Sequence, residues 1–225
     1  MLTQMLTTRR SAPASPRAAA VLIALAGALA SCSDATGPDV ARQDRPFYYY
    51  QDQKIYLSVD ARRLTVQPEA EADTGHVRAL LAQRGVAVDS MRLADLSGHW
   101  TVHLPPGTWP RRAEDAARWL RLSEGIRFAS VVYRAGGNCP LYLLNRLMVQ
   151  FRPAVSQAAI DELNASTGVR NEHQHPGTTR SYEYPAGMSA TPLELAAHYH
   201  RQGIVAWAEP DRIDGCLRPG GDLPG

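Results

Sequence analysis

The sequence predicts an α+β fold made of two consecutive β-α-β-β-α-β units, and three observations carry that prediction. Arg63-Leu-Thr-Val-Gln67 recurs 83 residues later as Arg146-Leu-Met-Val-Gln150. At the same offset, helix-start, stripe and helix-stop residues match: Asp73 with Ser156, Val77 with Ile160, Leu80 with Leu163, Gly85-Val86 with Gly168-Val169. With smaller offsets the second halves match as well, Thr101-Val-His-Leu-Pro-Pro-Gly107 with Ser181-Tyr-Glu-Tyr-Pro-Ala-Gly187 and Gly125-Ile126 with Gly203-Ile204. Each unit then has the order of a ferredoxin-like, split βαβ domain, with two helices on one face of a four-stranded antiparallel sheet.

The chain of 225 residues is 44% hydrophobic and 20% charged, the composition of an ordinary globular protein with one or two domains. Its formal charge of +2 arises at the N-terminus, where residues 1–31 hold Arg9, Arg10 and Arg17 and no acid. Without those three, 21 of the 24 basic side chains face 22 acidic ones. That balance offers no footprint for nucleic acid, which needs a dense basic face, and no nucleic-acid partner is expected.

Residues 1–31 read as a signal peptide: arginines, then the apolar run Ala18–Ala30, too short for a bilayer span. Leu29-Ala30-Ser31-Cys32 resembles the bacterial lipobox, which implies lipidation of Cys32 and a membrane anchor; the other reading is an ordinary secretory signal cut nearby. Export follows on either reading, and a place in the cell envelope follows from the lipid anchor. By resemblance to Gram-negative lipoproteins, Ser33 after the cysteine suits the outer membrane. Residues 32–46 are polar and turn-rich, a tether.

Phe47–Tyr50, a short polar break and Lys54–Val59 read as a β-hairpin covering a sheet edge, and open a first unit spanning 47–135. Thr191-Pro192-Leu193-Glu194 carries a capping box with proline at the first helical position, inside a second unit spanning 141–213. Ala135–Pro140 has the composition of a connector, and 214–225 that of a flexible tail. With Cys32 assigned to lipid, Cys139 and Cys216 remain. Each follows the last strand of its unit, and an oxidising compartment favours a disulfide between them; the alternative is two separate thiols.

Arg146-Leu-Met-Val-Gln-Phe-Arg-Pro153, the helix ending at Gly168-Val169, and Gly203-Ile-Val-Ala-Trp-Ala-Glu-Pro-Asp211 together resemble the propeptide domains of subtilisin-like serine proteases, closest to those called fervidolysin-like. The resemblance covers 146–212. The first unit closes as Ile126-Arg-Phe-Ala-Ser-Val-Val-Tyr-Arg134, without the Glu-Pro-Asp signature. The resemblance implies a protease-binding and protease-inhibiting module without catalysis. The acidic end of its last strand would meet helix N-termini of the enzyme, and the segment beyond would enter the substrate cleft. By position, Trp207 and Glu209 share a strand face, Pro210 and Asp211 begin the exit, and Tyr182, Glu183 and Tyr184 lie on another strand of the same sheet. A structural or adhesion lipoprotein without a protease partner is the alternative.

No catalytic set can be assembled. Asp73-Thr74-Gly75 looks like a protease aspartate loop, but it opens a helix, where aspartate is a common N-cap. Subtilisin histidine and serine blocks, a Gly-x-Ser-x-Gly elbow and a P-loop are absent. His173 and His175 share a strand face, as do His99 and His103, while His198 and His200 diverge on a helix. None of these pairs supplies the three or four converging ligands of a metal site, so no metal or cofactor is expected.

Overall fold

Strand β1 (Phe47–Tyr50) turns at Asp52 into the long strand β2 (Gln53–Pro68), and the Phe47↔Tyr56 to Tyr50↔Gln53 register is the expected hairpin. The first unit continues through α1 (Thr74–Gln83), β3 (Ser90–Leu93), β4 (Trp100–His103), α2 (Pro110–Arg121) and β5 (Ile126–Ala135). The second repeats the order as β6 (Cys139–Phe151), α3 (Gln157–Thr167), β7 (Arg170–Gln174), β8 (Thr179–Glu183), α4 (Pro192–His200) and β9 (Val205–Asp214). The computed structural model describes residues 45–50, 52–69, 73–94, 98–136 and 139–216. The expected signal peptide, Cys32, most of the expected tether and the expected tail from 217 onward lie outside the described residues. None of the helices described is long and apolar enough to cross a membrane.

The strand orders β3-β4-β2-β5 and β7-β8-β6-β9 are the same ferredoxin-like order, used twice. Helix ends follow local chemistry. Asp73 accepts from the His76 amide at 2.8 Å, so Asp73-Thr74-Gly75 is a helix cap. Ser156 caps α3 through the Ala159 amide, and Gly168 ends it at φ 73°, a conformation that costs glycine little. Thr191 and Glu194 form the full capping box of α4, which stops at His200, ahead of Gly203. α2 has Pro110 at its first position and no side-chain cap.

The repeat register holds in three dimensions. β2 slips against β5 between Asp60 and Leu64, and β6 slips against β9 between Leu143 and Leu147, the same two positions 83 residues apart. The last strands differ from expectation by one residue. Pro68↔Ile126 in the first unit corresponds to Phe151↔Val205 in the second, so Ile126 matches Val205 and not Ile204. Across the slip β9 spends two residues, Arg212 to Pro210, where β5 spends one, Val132 to Val131. Asp211 is therefore an insertion with no counterpart in the first unit.

The expected connector is a β-hairpin. Tyr133↔Leu141 and Ala135↔Cys139 pair β5 with β6 and join both units into one nine-stranded sheet. Cys139 thus opens β6 and does not trail β5. It is bonded to Cys216 just past β9, with Cα atoms 5.4 Å apart, closing the ends of two neighbouring strands. Gly215 donates to the Pro140 carbonyl at 2.7 Å, and a Cβ there would meet Pro140 at 2.5 Å, so only glycine fits this approach.

Residues opposite each other on an antiparallel ladder share a face. On the helix face, Leu64, Val66, Ala129 and Val131 of unit one and Leu147, Val149, Ala208 and Val205 of unit two are buried. The Tyr133↔Leu141 pair makes these one continuous face. α2 lies against β2 and β5, and α4 against β6 and β9. Arg121 of α2 is buried and ties the units, donating to the carbonyls of Ala129 at 3.0 Å and Ser189 at 3.3 Å.

Candidate protein-binding face

The face of β6 and β9 turned away from the helices carries Met148 opposite Glu209 and Gln150 opposite Trp207. All four are partly exposed, whereas Leu147, Val149, Ala208 and Pro210 between them are buried. Trp207 and Glu209 therefore do share a strand face. Pro210 points into the core, and Asp211 sits at the bulge.

Beside this face the N-terminal hairpin adds Tyr48, Tyr50 and Ile55, making a groove of about 540 Å³ with Trp207, Glu209 and Arg212. The hairpin reaches the second unit through aromatic and ionic contacts. The Arg212 guanidinium lies 4.5 Å from the Tyr48 ring centroid, and Tyr49 stacks on His200 at 3.8 Å. The sequence offered β1 only as an edge cover; that it crosses to β9 and α4 depends on tertiary placement.

Charge in the groove is internally arranged. Arg212 donates to Glu209 at 2.8 Å. Burial alone would lower the Arg212 guanidinium, but the bond to Glu209 and the nearby tyrosine and acids outweigh it and raise it. Burial raises the Tyr48 hydroxyl, with Arg212 opposing. Burial also raises the Asp211 carboxyl, against the pull of the Arg212 amide and of Arg146, Arg212 and His175.

The tyrosines belong elsewhere. Tyr182 is 1% exposed and Tyr184 is 4% exposed, both in the core, so they support the sheet from within and present nothing to a partner. Tyr184 packs edge-on against Phe128 of the first unit, with centroids 5.7 Å apart. Glu183 lies opposite Arg146 and lines a separate cleft of about 380 Å³ with Arg127, Arg146 and Asp211. His173 and His175 are neighbours at 4.8 Å, with His175 bonded to the Ser181 hydroxyl. Among the described residues no group of three or more His, Cys, Asp or Glu is placed to hold a metal ion.

A scan against protein-family models finds no match, and a search of curated protein sequences finds none either. Among solved structures the chain is similar to a Sxl-lethal protein/RNA complex at 15% identity and TM-score 0.30, covering 68% of this chain and 98% of that one. It is also similar to the acetolactate synthase small subunit from Thermotoga maritima, at 12% identity and TM-score 0.29, covering 68% and 96%. A third is an aspartokinase of alpha and beta subunits, at 14% identity and TM-score 0.25, covering 58% and 86%. Likenesses this distant assign no function, and the ferredoxin-like description rests on strand order and register.

Proposed function

We propose that this chain is a non-enzymatic, exported lipoprotein, anchored through Cys32, whose second unit binds and inhibits a subtilisin-like serine protease. The observation that carries the reading is the helix-free face of β6 and β9, where Met148, Gln150, Trp207 and Glu209 stay partly exposed on a rigid sheet. A rigid face with a central aromatic suits a protein partner, because little ordering entropy is lost on docking. An interface of ordinary size, roughly 800 Å² per partner, would need this strip and the adjoining groove together.

The test is residual activity of a panel of subtilisin-type proteases, including those encoded beside the gene, incubated with the chain. Inhibition that weakens more than about tenfold in Trp207→Ala is expected, since central aromatics carry a large share of binding energy. Absence of inhibition and of complex formation across the panel would overturn it. A second reading, a structural or adhesion lipoprotein without a protease partner, draws on two observations. The Cys139–Cys216 bond holds the exit of β9 against β6, and Glu209 is already engaged by Arg212.

A further inference from the structure

We propose that the outward side of α2 is a docking surface for an anionic lipid membrane, the membrane into which the anchor would insert. This α2 surface lies in the first unit, apart from the protein-binding face. Four arginines, Arg84, Arg111, Arg112 and Arg118, are exposed around a shallow groove of about 780 Å³, with Asp115 as the one acid among its lining residues. Among the described residues none of the four takes part in an ion pair. Trp109, 76% exposed, and Leu122, 47% exposed, stand at the two ends of the helix. Trp119 lies between them, covered by the Arg84 guanidinium at 3.8 Å.

The spacing Trp109, Arg112, Trp119, Leu122 runs along one side of a helix, over a length of about 20 Å. Aromatic and aliphatic tips flanked by arginines are the make-up of a surface that lies in a headgroup layer. The indole ring takes the apolar-polar boundary, and the arginine stems stay apolar while their heads meet phosphate. A tryptophan 76% exposed at a helix start leaves most of its ring outside the core, and the surrounding charge selects against a neutral partner.

The chain's own geometry names the occupant. Arg45 and Pro46, where the chain enters the fold, line a pocket together with Glu114 of α2. Only the twelve residues 33–44 separate this point from Cys32. Fully extended they reach about 40 Å, and as a flexible coil about half that. An anchor at Cys32 would hold α2 near the bilayer, where a weak surface acts at high effective concentration. This geometric step rests on the anchor reading; the surface chemistry does not.

The described elements all fall within one unit, Thr36–Gly225, so a chain starting at residue 36 carries the fold without leader or anchor. Sedimentation of that chain with vesicles reads the surface alone. Binding is expected to vesicles of equal parts phosphatidylcholine and phosphatidylglycerol, to weaken with salt, and to be absent with phosphatidylcholine alone. Each arginine near an anionic surface is worth roughly fivefold, so Arg111→Glu with Arg112→Glu should cost at least about tenfold. An unchanged melting temperature checks the fold, and Arg84→Glu with Arg118→Glu is a second variant. No binding to the mixed vesicles, binding that both variants retain, or capture by soluble polyglutamate without vesicle binding would each overturn the proposal. Labelling of the full chain with radioactive palmitate, lost in Cys32→Ala, tests the anchor separately.

Discussion

Phe128 and Trp207 occupy the same position in the two units, the helix-free side of the last strand, opposite Gln67 and Gln150 respectively. Phe128 is fully buried, between His99 at 5.8 Å and Tyr184 of the second unit at 5.7 Å. Trp207 has no such cover and borders an open groove. Their neighbours differ in the same way: Thr65 and Ser130 are buried, whereas Met148 and Glu209 are partly exposed. A duplicated unit has two helix-free faces, and here the matching positions are buried in the first, where Tyr184 of the second unit lies against Phe128. The other keeps an aromatic at the surface, which is why the protein-binding reading falls on the second unit.

The largest expected effect tests this contrast directly. Phe128→Ala should destabilise the chain by about 3–5 kcal/mol, as buried aromatics do, and Trp207→Ala by about 1–1.5 kcal/mol or less. Denaturant unfolding of both variants measures the gap, and equal losses would break the comparison. Next in size is the disulfide, which closes only the second unit. Removing it as Cys139→Ser with Cys216→Ser should cost about 2–4 kcal/mol, the usual range and below the ~4.5 kcal/mol that closure of a 77-residue loop alone would give. Hydrogen exchange sharpens the point, because β6 and β9 should lose more protection than β2 and β5. Uniform loss would mean the two units open together.

The duplication was legible because ladder residues, helix caps and stops recur at fixed spacing, and local chemistry is written locally. Asp73, Ser156 and the Thr191–Glu194 box needed no tertiary information. Cys139 and Cys216 were paired by setting Cys32 aside for lipid, by compartment and by their places after equivalent strands. The one-residue error at the start of β9 arose because Gly125-Ile126 and Gly203-Ile204 match by type and not by place: Gly125, at φ 76°, stands directly before its strand, whereas Gly203 stands two residues before Val205. Tyr182 and Tyr184 were misjudged for another reason. A tyrosine alternating with polar residues reads the same whether its strand is an edge or is buried, and here a helix layer and the first unit cover both rings. The joining of the two sheets, and the hairpin's reach to Arg212, depend on contacts between distant residues that no local pattern encodes.

The smallest effects concern two aspartates at the same bulge in the two units, and they should have opposite signs. Burial alone would raise the Asp60 carboxyl, but bonds from Arg63, the Arg62 amide and Arg134 outweigh it and hold it below its ordinary 3.8. Its contribution is thus fully present above that unfolded value and is lost as pH falls through the lower folded one. Asp60→Asn should cost about 2 kcal/mol near neutral pH, because Arg63 and Arg134 lose a buried partner while keeping some solvent contact. The difference from wild type should close as the solution is acidified below 3.8. Asp211 is the inserted residue, and burial raises its carboxyl despite Arg146 and Arg212. Its charged form is the one the fold disfavours, so stability is lost as pH rises through the raised value. Asp211→Asn should be neutral or stabilising near pH 7, by up to about 1 kcal/mol. Thermal unfolding of both variants across pH decides the matter: if both destabilise at neutral pH, Asp211 is held by its arginines as firmly as Asp60. The bulge of the second unit would then hold an ion-pair site of its own and would not be a strained insertion beside the binding face.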